Sequence, residues 1–316
     1  MDVNIPKGLG EEGMKEERDT ARACAEVNTP GVHYIDHERP LSNTMAAYVQ
    51  QVLISTGKDD WTSRIEEDEE AGELVRGLRR LLGKGGALAD PYNNIMLSHC
   101  SFSPSPVPTQ KFKTASAYIL PSFHYLPSIP LTPPSIEEFT RAFLLPPTLH
   151  LAHKGLLASQ RLAFVQQPEL QCSCLGSRSA SDILILICGH RGRDKRCGVM
   201  GPLLRDEFER RLSSIGVFEV LKDAPPAETP PCIPAAKLGV RVGLISHVGG
   251  HKFAGNVIIY IPPSLTANDL AGKGIWYGRV EPRHVEGIIE ETIVKGRVIG
   301  ELFRGGIDKE SQILRM

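Results

Sequence analysis

Apolar positions recur in readable periods from about residue 36 onward, and the pattern is clearest in the second half of the chain. Residues 183–187 form an unbroken Ile/Leu run, as expected of a strand buried on both faces. Residues 240–246 and 257–261 also read as strands, and between them lies His247-Val248-Gly249-Gly250-His251. A cationic, glycine-rich loop is predicted for 188–201, then a helix opening at Pro202 and running to Leu212, with Gly216 just past its end. A short strand at 217–221, another at 276–280 and an amphipathic helix over 282–295 complete the region.

The first half is patterned less regularly. Residues 44–53 predict a helix running into a short strand at 51–55. Leu74, Leu78 and Leu81 fall at helical spacing in the charged stretch 65–82, which Gly83-Lys84-Gly85-Gly86 ends. Strands are predicted at 94–102 and 115–120, and a helix at 135–145, where Ser135 and Glu138 suit a capping box. No internal repeat is evident. The organisation read from this pattern is a disordered leader over 1–33, a smaller and degenerate α/β region over 34–160, and a C-terminal α/β domain over 161–316. The β-α-β, β-β, α order of that last domain suits a thioredoxin-like layer.

Composition narrows the class. The chain has 316 residues, 41% of them apolar, enough for ordinary cores. A formal charge of −1 gives no whole-molecule attraction to nucleic acid or anionic lipid. The first twenty residues are rich in acid, unlike a secretory signal or an Arg-rich transit peptide. The longest apolar runs are strand-sized, so no membrane span is expected. Seven cysteines, an odd number spread through a long chain, argue for a reducing compartment over a secreted disulfide scaffold.

The candidate chemistry lies in two glycine-flanked loops. Cys188 ends a predicted strand and Cys197 follows nine positions later; His247 ends another, with His251 four positions on. Ligands gather at the carboxyl ends of strands in α/β folds, so these four side chains make a plausible metal site. A buried strand cysteine and two ordinary loop histidines explain the same residues equally well. A phosphatase-type loop does not fit, because the position six after Cys188 is Asp194 where an arginine is required. Cys172-Ser173-Cys174 is a second thiol pair in a polar linker, while Trp61 and Trp276 read as packing anchors.

The stretch Cys188-Gly-His-Arg-Gly-Arg-Asp-Lys-Arg-Cys197-Gly resembles the first signature of the sucrase/ferredoxin-like family, and His247-Val-Gly-Gly-His251-Lys-Phe-Ala-Gly-Asn256 resembles its second. Gly274-Ile-Trp276-Tyr-Gly-Arg279 and Glu301-Leu-Phe-Arg304-Gly-Gly resemble its C-terminal block. Asp36-His-Glu-Arg-Pro-Leu and the segment 52–61 are similar to the fungal altered inheritance of mitochondria protein thirty-two branch. The resemblance covers about residues 34–308 and implies a thioredoxin-like ferredoxin fold. It also implies a [2Fe–2S] cluster held by Cys188, Cys197, His247 and His251.

Two thiolates and two imidazoles would leave an oxidised cluster formally neutral, hence of higher potential than an all-cysteine one. The function so implied is electron transfer with an unknown redox partner protein, in thiol redox homeostasis, in the mitochondrion or alternatively the cytoplasm. Two alternatives stay open: a structural Cys2His2 zinc site, for which the ligand types are equally suited, and a thiol oxidoreductase that works without a cluster. Paired carboxylates placed for glycoside hydrolysis are not seen.

Overall fold

In a computed structural model, residues 35–106, 112–173, 176–225 and 237–316 are described, without the side chains of residues 172 and 173. The leader and the side chains of the Cys172/Cys174 pair lie outside them. The protein is α/β, as expected. Its strands form a single mixed sheet, mostly antiparallel, in the order β12-β11-β10-β9-β6-β8-β2-β1-β3-β4-β5, with β7 pairing off β8. The strands are β1 (Gln50–Ser55), β2 (Ile95–Cys100), β3 (Thr114–Leu120), β4 (His124–Pro130), β5 (Arg178–Ser179), β6 (Ile183–Cys188), β7 (Phe218–Val220), β8 (Leu238–Ile245), β9 (Val257–Tyr260), β10 (Gly274–Tyr277), β11 (Phe303–Ile307) and β12 (Ile313–Leu314). The helices are α1 (Gly72–Leu82), α2 (Pro133–Phe139), α3 (Ala158–Ala163), α4 (Lys195–Ser214) and α5 (Val285–Ile288).

Each half of the sheet repeats one topology. In the first, β1 lies between parallel β2 and antiparallel β3, β4 follows, α1 connects β1 to β2, and α2 comes after β4. In the second, β6 lies between parallel β8 and antiparallel β9, β10 follows, α4 precedes β8, and α5 comes after β10. This is the layer expected for the C-terminal half, and it recurs in the N-terminal half without a matching sequence repeat.

The two half-sheets join where the ends of β2 and β8 pair antiparallel at Cys100 and Ile245. The seam is reciprocal. Ser101 N donates to Leu244 O while Leu244 N donates to Ser101 Oγ, and Ser246 N donates to His99 O while His99 N donates to Ser246 Oγ.

Strand alternation separates two cores. Ile183, Ile185 and Ile187 point to the face covered by the helices, where Leu204, Phe208 and Leu212 of α4 pack at helical spacing. Full burial of each of these three contributes roughly 2–3 kcal/mol. Leu184, Leu186 and Cys188 point to the other face, with Tyr118, Tyr260 and Trp276, and irregular segments cover it. A buried polar chain crosses that face: Trp276 Nε1 donates to Tyr48 Oη (3.0 Å), the Tyr48 and Tyr260 hydroxyls lie 2.7 Å apart, and Tyr260 Oη donates to Gln51 Oε1 (2.8 Å).

Two elements differ from expectation. Residues 44–49 are not helical, because their backbone is taken by distant partners: Thr44 N and Met45 N donate to Arg304 O, and Val49 N to Asn94 O. Helix α4 begins at Lys195, not at Pro202, which lies inside it. Asp194 caps the helix through Arg196 N (3.0 Å). Proline removes the donor that Gly198 O would otherwise receive, and Arg191 Nη2 supplies a replacement at 3.4 Å.

Candidate functional site

The site forms where β6 and β8 end side by side, at the carboxyl edge of the second half-sheet. Cys188 closes β6, its amide donating to Asn256 O (2.9 Å). The chain then turns through His190, whose carbonyl accepts from Arg193 N and Asp194 N, and enters α4. That early start carries Cys197 into the first helical turn, folded back over Cys188. Gly201 permits the approach: a Cβ there would meet Gly189 Cα at 2.6 Å and Cys188 O at 3.0 Å. Both thiols are free and buried.

His190 fastens this turn to both halves of the molecule. Its Nε2 lies 3.1 Å from Trp61 O and 3.0 Å from Thr62 O, while its Nδ1 accepts from His247 N at 3.0 Å. Together these fix the neutral tautomer with the proton on Nε2. Gly192 N donates to Asp60 Oδ1 (3.1 Å), a second tie to the N-terminal half. The sequence alone gave no reason to single out His190 as this joint.

The second loop is held from beneath by Arg304. Its guanidinium is buried, and donates to Thr44 Oγ1 (3.0 Å), Thr44 O (2.8 Å), Asn256 Oδ1 (2.6 Å) and Gly249 O (3.3 Å). Asn256 Nδ2 in turn donates to Gly250 O (3.0 Å). Gly249 and Gly250 both adopt positive φ, 91° and 73°, and a side chain on Gly250 would run into the guanidinium. Gly255 is equally constrained, with φ 87° and the Val280 carbonyl where a Cβ would be. Gly255→Ala is expected to lower stability by more than about 2 kcal/mol, since left-handed strain alone accounts for about 1–2. A urea unfolding midpoint unchanged from the parent would refute this.

The electrostatics single out Cys188. Hydrogen bonding from Cys197 holds its thiol well below the ordinary range; burial opposes this, and His247 adds hydrogen bonding and charge in the same direction as Cys197. Cys197 is pushed up, by its bond to Cys188 and then by burial. The two shifts run in opposite directions, so Cys188 is the more acidic thiol of the pair. Of the basic loop residues, Arg191, Arg193 and Lys195 are exposed, and Arg196 makes a two-point ion pair with Asp194 (both contacts 2.9 Å).

Cys188, Cys197 and His247 thus meet, with Cys197 and His247 both hydrogen-bonded to the Cys188 sulfur. The His251 ring lies 5.4 Å from that of His247, and burial pushes its pKa down, with Asp194 opposing. Among the described residues, no group of three or more His, Cys, Asp or Glu side chains is placed to hold a metal ion. The expected function of cluster-borne electron transfer through Cys188, Cys197, His247 and His251 is corrected on this finding, as is the structural zinc alternative. The physical reason is that the two sulfurs are engaged with each other, and His247 is hydrogen-bonded to Cys188.

The comparisons with known proteins agree with the motifs. A family model described as sucrase/ferredoxin-like matches residues 41–305. The chain belongs to the sucrase/ferredoxin-like family. Within the family it is similar to altered inheritance of mitochondria protein 32 of Debaryomyces hansenii, 31% identical over 86% of this chain and 88% of that protein. The protein of the same name from Clavispora lusitaniae is 46% identical over a shorter stretch, 39% of this chain and 34% of the relative. Actin patches distal protein 1 of Saccharomyces cerevisiae is 39% identical over 35% of this chain and 29% of its own length. No solved structure matches. For this sucrase/ferredoxin-like chain, the specific loops of the resemblance are thus the two loops that build the Cys188 site.

Proposed function

We propose that this chain is a thiol–disulfide redox protein whose working pair is Cys188 and Cys197. The observation that carries this reading is the contact of two free, buried thiols, with the Cys188 thiol held well below its ordinary range by Cys197 and His247. A thiolate is the nucleophile of thiol–disulfide exchange, and an adjacent protonated thiol is the group that resolves the intermediate. Cys188 attacks one sulfur of a low-molecular-weight disulfide and expels one thiolate, giving a mixed disulfide. Cys197 then attacks the Cys188 sulfur, its proton passes to the departing thiolate, and a second thiol leaves. The protein dithiol is oxidised to a disulfide while the substrate disulfide is reduced to two thiols.

Access requires the exposed turn around Arg191, Gly192 and Arg193 to lift from the pair, a local opening of the kind loops undergo. The ferredoxin in the family description and the mitochondrial inheritance in the relatives' names fit a redox protein that works in mitochondria.

The test is oxidation of the purified full-length chain by oxidised glutathione, read by mass spectrometry. The parent is expected to lose two hydrogens through a Cys188–Cys197 disulfide, Cys197→Ser to trap glutathione on Cys188, and Cys188→Ser to do neither. Alkylation at pH 7 should be at least tenfold faster at Cys188 than at Cys197. A protein isolated with stoichiometric iron or zinc and both thiols shielded, or a Cys197→Ser variant that traps nothing on Cys188, overturns the proposal.

A further inference from the structure

The stretch from Phe139 to Pro168 contains no acidic residue. Past α2 it runs as a strap over the N-terminal half, through a tight turn at Leu151–Gly155 and then α3. Its start is anchored in the core by Ala142, Phe143 and Leu144. Farther on, His153 Nε2 lies 3.0 Å from Asp90 Oδ1 and His150 stacks on Tyr92 with ring centroids 3.9 Å apart, while Arg141 Nη1 donates to Ala163 O (3.1 Å) within the strap. Leu151, Leu157 and Leu162 are 70%, 69% and 70% exposed, and Tyr92 beside them 49%. These are four of only seven large hydrophobic side chains exposed among the described residues. A surface helix ordinarily turns such residues inward; here three leucines within one short stretch of chain face solvent. Lys154 and Arg161 are exposed between them, with no carboxylate in the strap to neutralise either.

We propose that this strap is a docking surface for an anionic phospholipid bilayer. Two observations select lipid over a protein groove. Cations in a stretch that carries no acid of its own complement a layer of phosphate headgroups, while exposed leucines reach the acyl boundary. The leucines are also spaced six and five residues apart, not the three and four that would set one stripe into a groove. A soft bilayer accepts such scattered anchors. No helix among the described residues is long and apolar enough to cross a membrane, so the contact is peripheral.

The experiment is co-sedimentation of the full-length chain with vesicles of phosphatidylcholine alone and of phosphatidylcholine with one-fifth cardiolipin. The expected result is binding to the anionic vesicles only. Binding should fall at least tenfold in Leu151→Ser/Leu157→Ser/Leu162→Ser and in Lys154→Glu/Arg161→Glu, and should weaken as salt shortens the screening length. The substituted side chains are exposed, so both variants should keep the parent's thermal unfolding midpoint, and Cys188 alkylation should be unchanged. No binding to either vesicle overturns the proposal, as does equal binding by parent and both variants. So does a concentration-dependent dimer that the leucine variant abolishes while vesicle binding is absent.

Discussion

Arg304→Met is expected to lower the unfolding free energy by about 3 kcal/mol, read as a fall in urea midpoint. Two effects oppose each other at this position. Burying a guanidinium without a carboxylate is unfavourable, and burial pushes the Arg304 pKa down to about 10, with the nearby Cys188 acting the other way. At neutral pH it remains charged, so methionine relieves that penalty.

Against this stand the acceptors it serves: Thr44 Oγ1 and O, Asn256 Oδ1 and Gly249 O. Each buried acceptor left without a donor loses about 1–3 kcal/mol. Thr44 is the least affected, because its hydroxyl already donates to Leu41 O. The remaining acceptors outweigh the relieved charge. Lysine restores the charge but not the planar fork, and should recover less than half of the loss. A midpoint equal to the parent's in Arg304→Met would show that the loop stands without its support.

Stability should also fall between pH 6.5 and pH 4, and His99 should account for roughly 3 kcal/mol of the fall at about 1.4 kcal/mol per pKa unit. His99 is fully buried beside Trp61, and neither ring nitrogen has a hydrogen-bond partner. Burial pushes its pKa down from 6.5 to about 4, with Asp68 opposing. Through that window the unfolded chain binds a proton that the folded protein refuses, so unfolding gains as pH falls. The effect is absent above 6.5. His124 and His251 are shifted in the same direction by burial, and carboxylates contribute as well, so the parent alone does not isolate the residue. His99→Phe does, since it removes the titrating group and keeps an aromatic ring against Trp61. Parallel stability-versus-pH curves for the two proteins would contradict the assignment.

What could be read in the sequence follows from how local the cause was. The Ile/Leu run of β6 and the Leu74, Leu78 spacing of α1 announce themselves because burial on two faces, or on one stripe, leaves a direct trace in residue order. The start of α4 did not. Gly198, Gly201 and Pro202 read as loop and helix opening, whereas the glycines serve close packing on the end of β6 and Arg191 covers for the proline. Residues 44–49 failed for the opposite reason: their apolar spacing is helical, but Arg304 and Asn94, far away in the chain, claim their amides.

At the site, the motifs located Cys188, Cys197 and His247 correctly as neighbours. They placed His190 beside the same loop without its role as a joint, which depends on the Trp61 and Thr62 carbonyls far away in the chain.

The seam at Cys100 and Ile245 bears on self-association. An open sheet offers its outer strands as templates for other chains, the starting point of polymerisation. Here the two long strands that would end each half-sheet, β2 and β8, meet at their ends through the Cys100–Ile245 pair. What remains outside among the described residues are β5 and β12, two residues each, and β7, three. Strands that short offer too few free amides and carbonyls to nucleate a fibre. By closing its halves edge to edge, the chain resists runaway aggregation without needing charged or proline-studded borders.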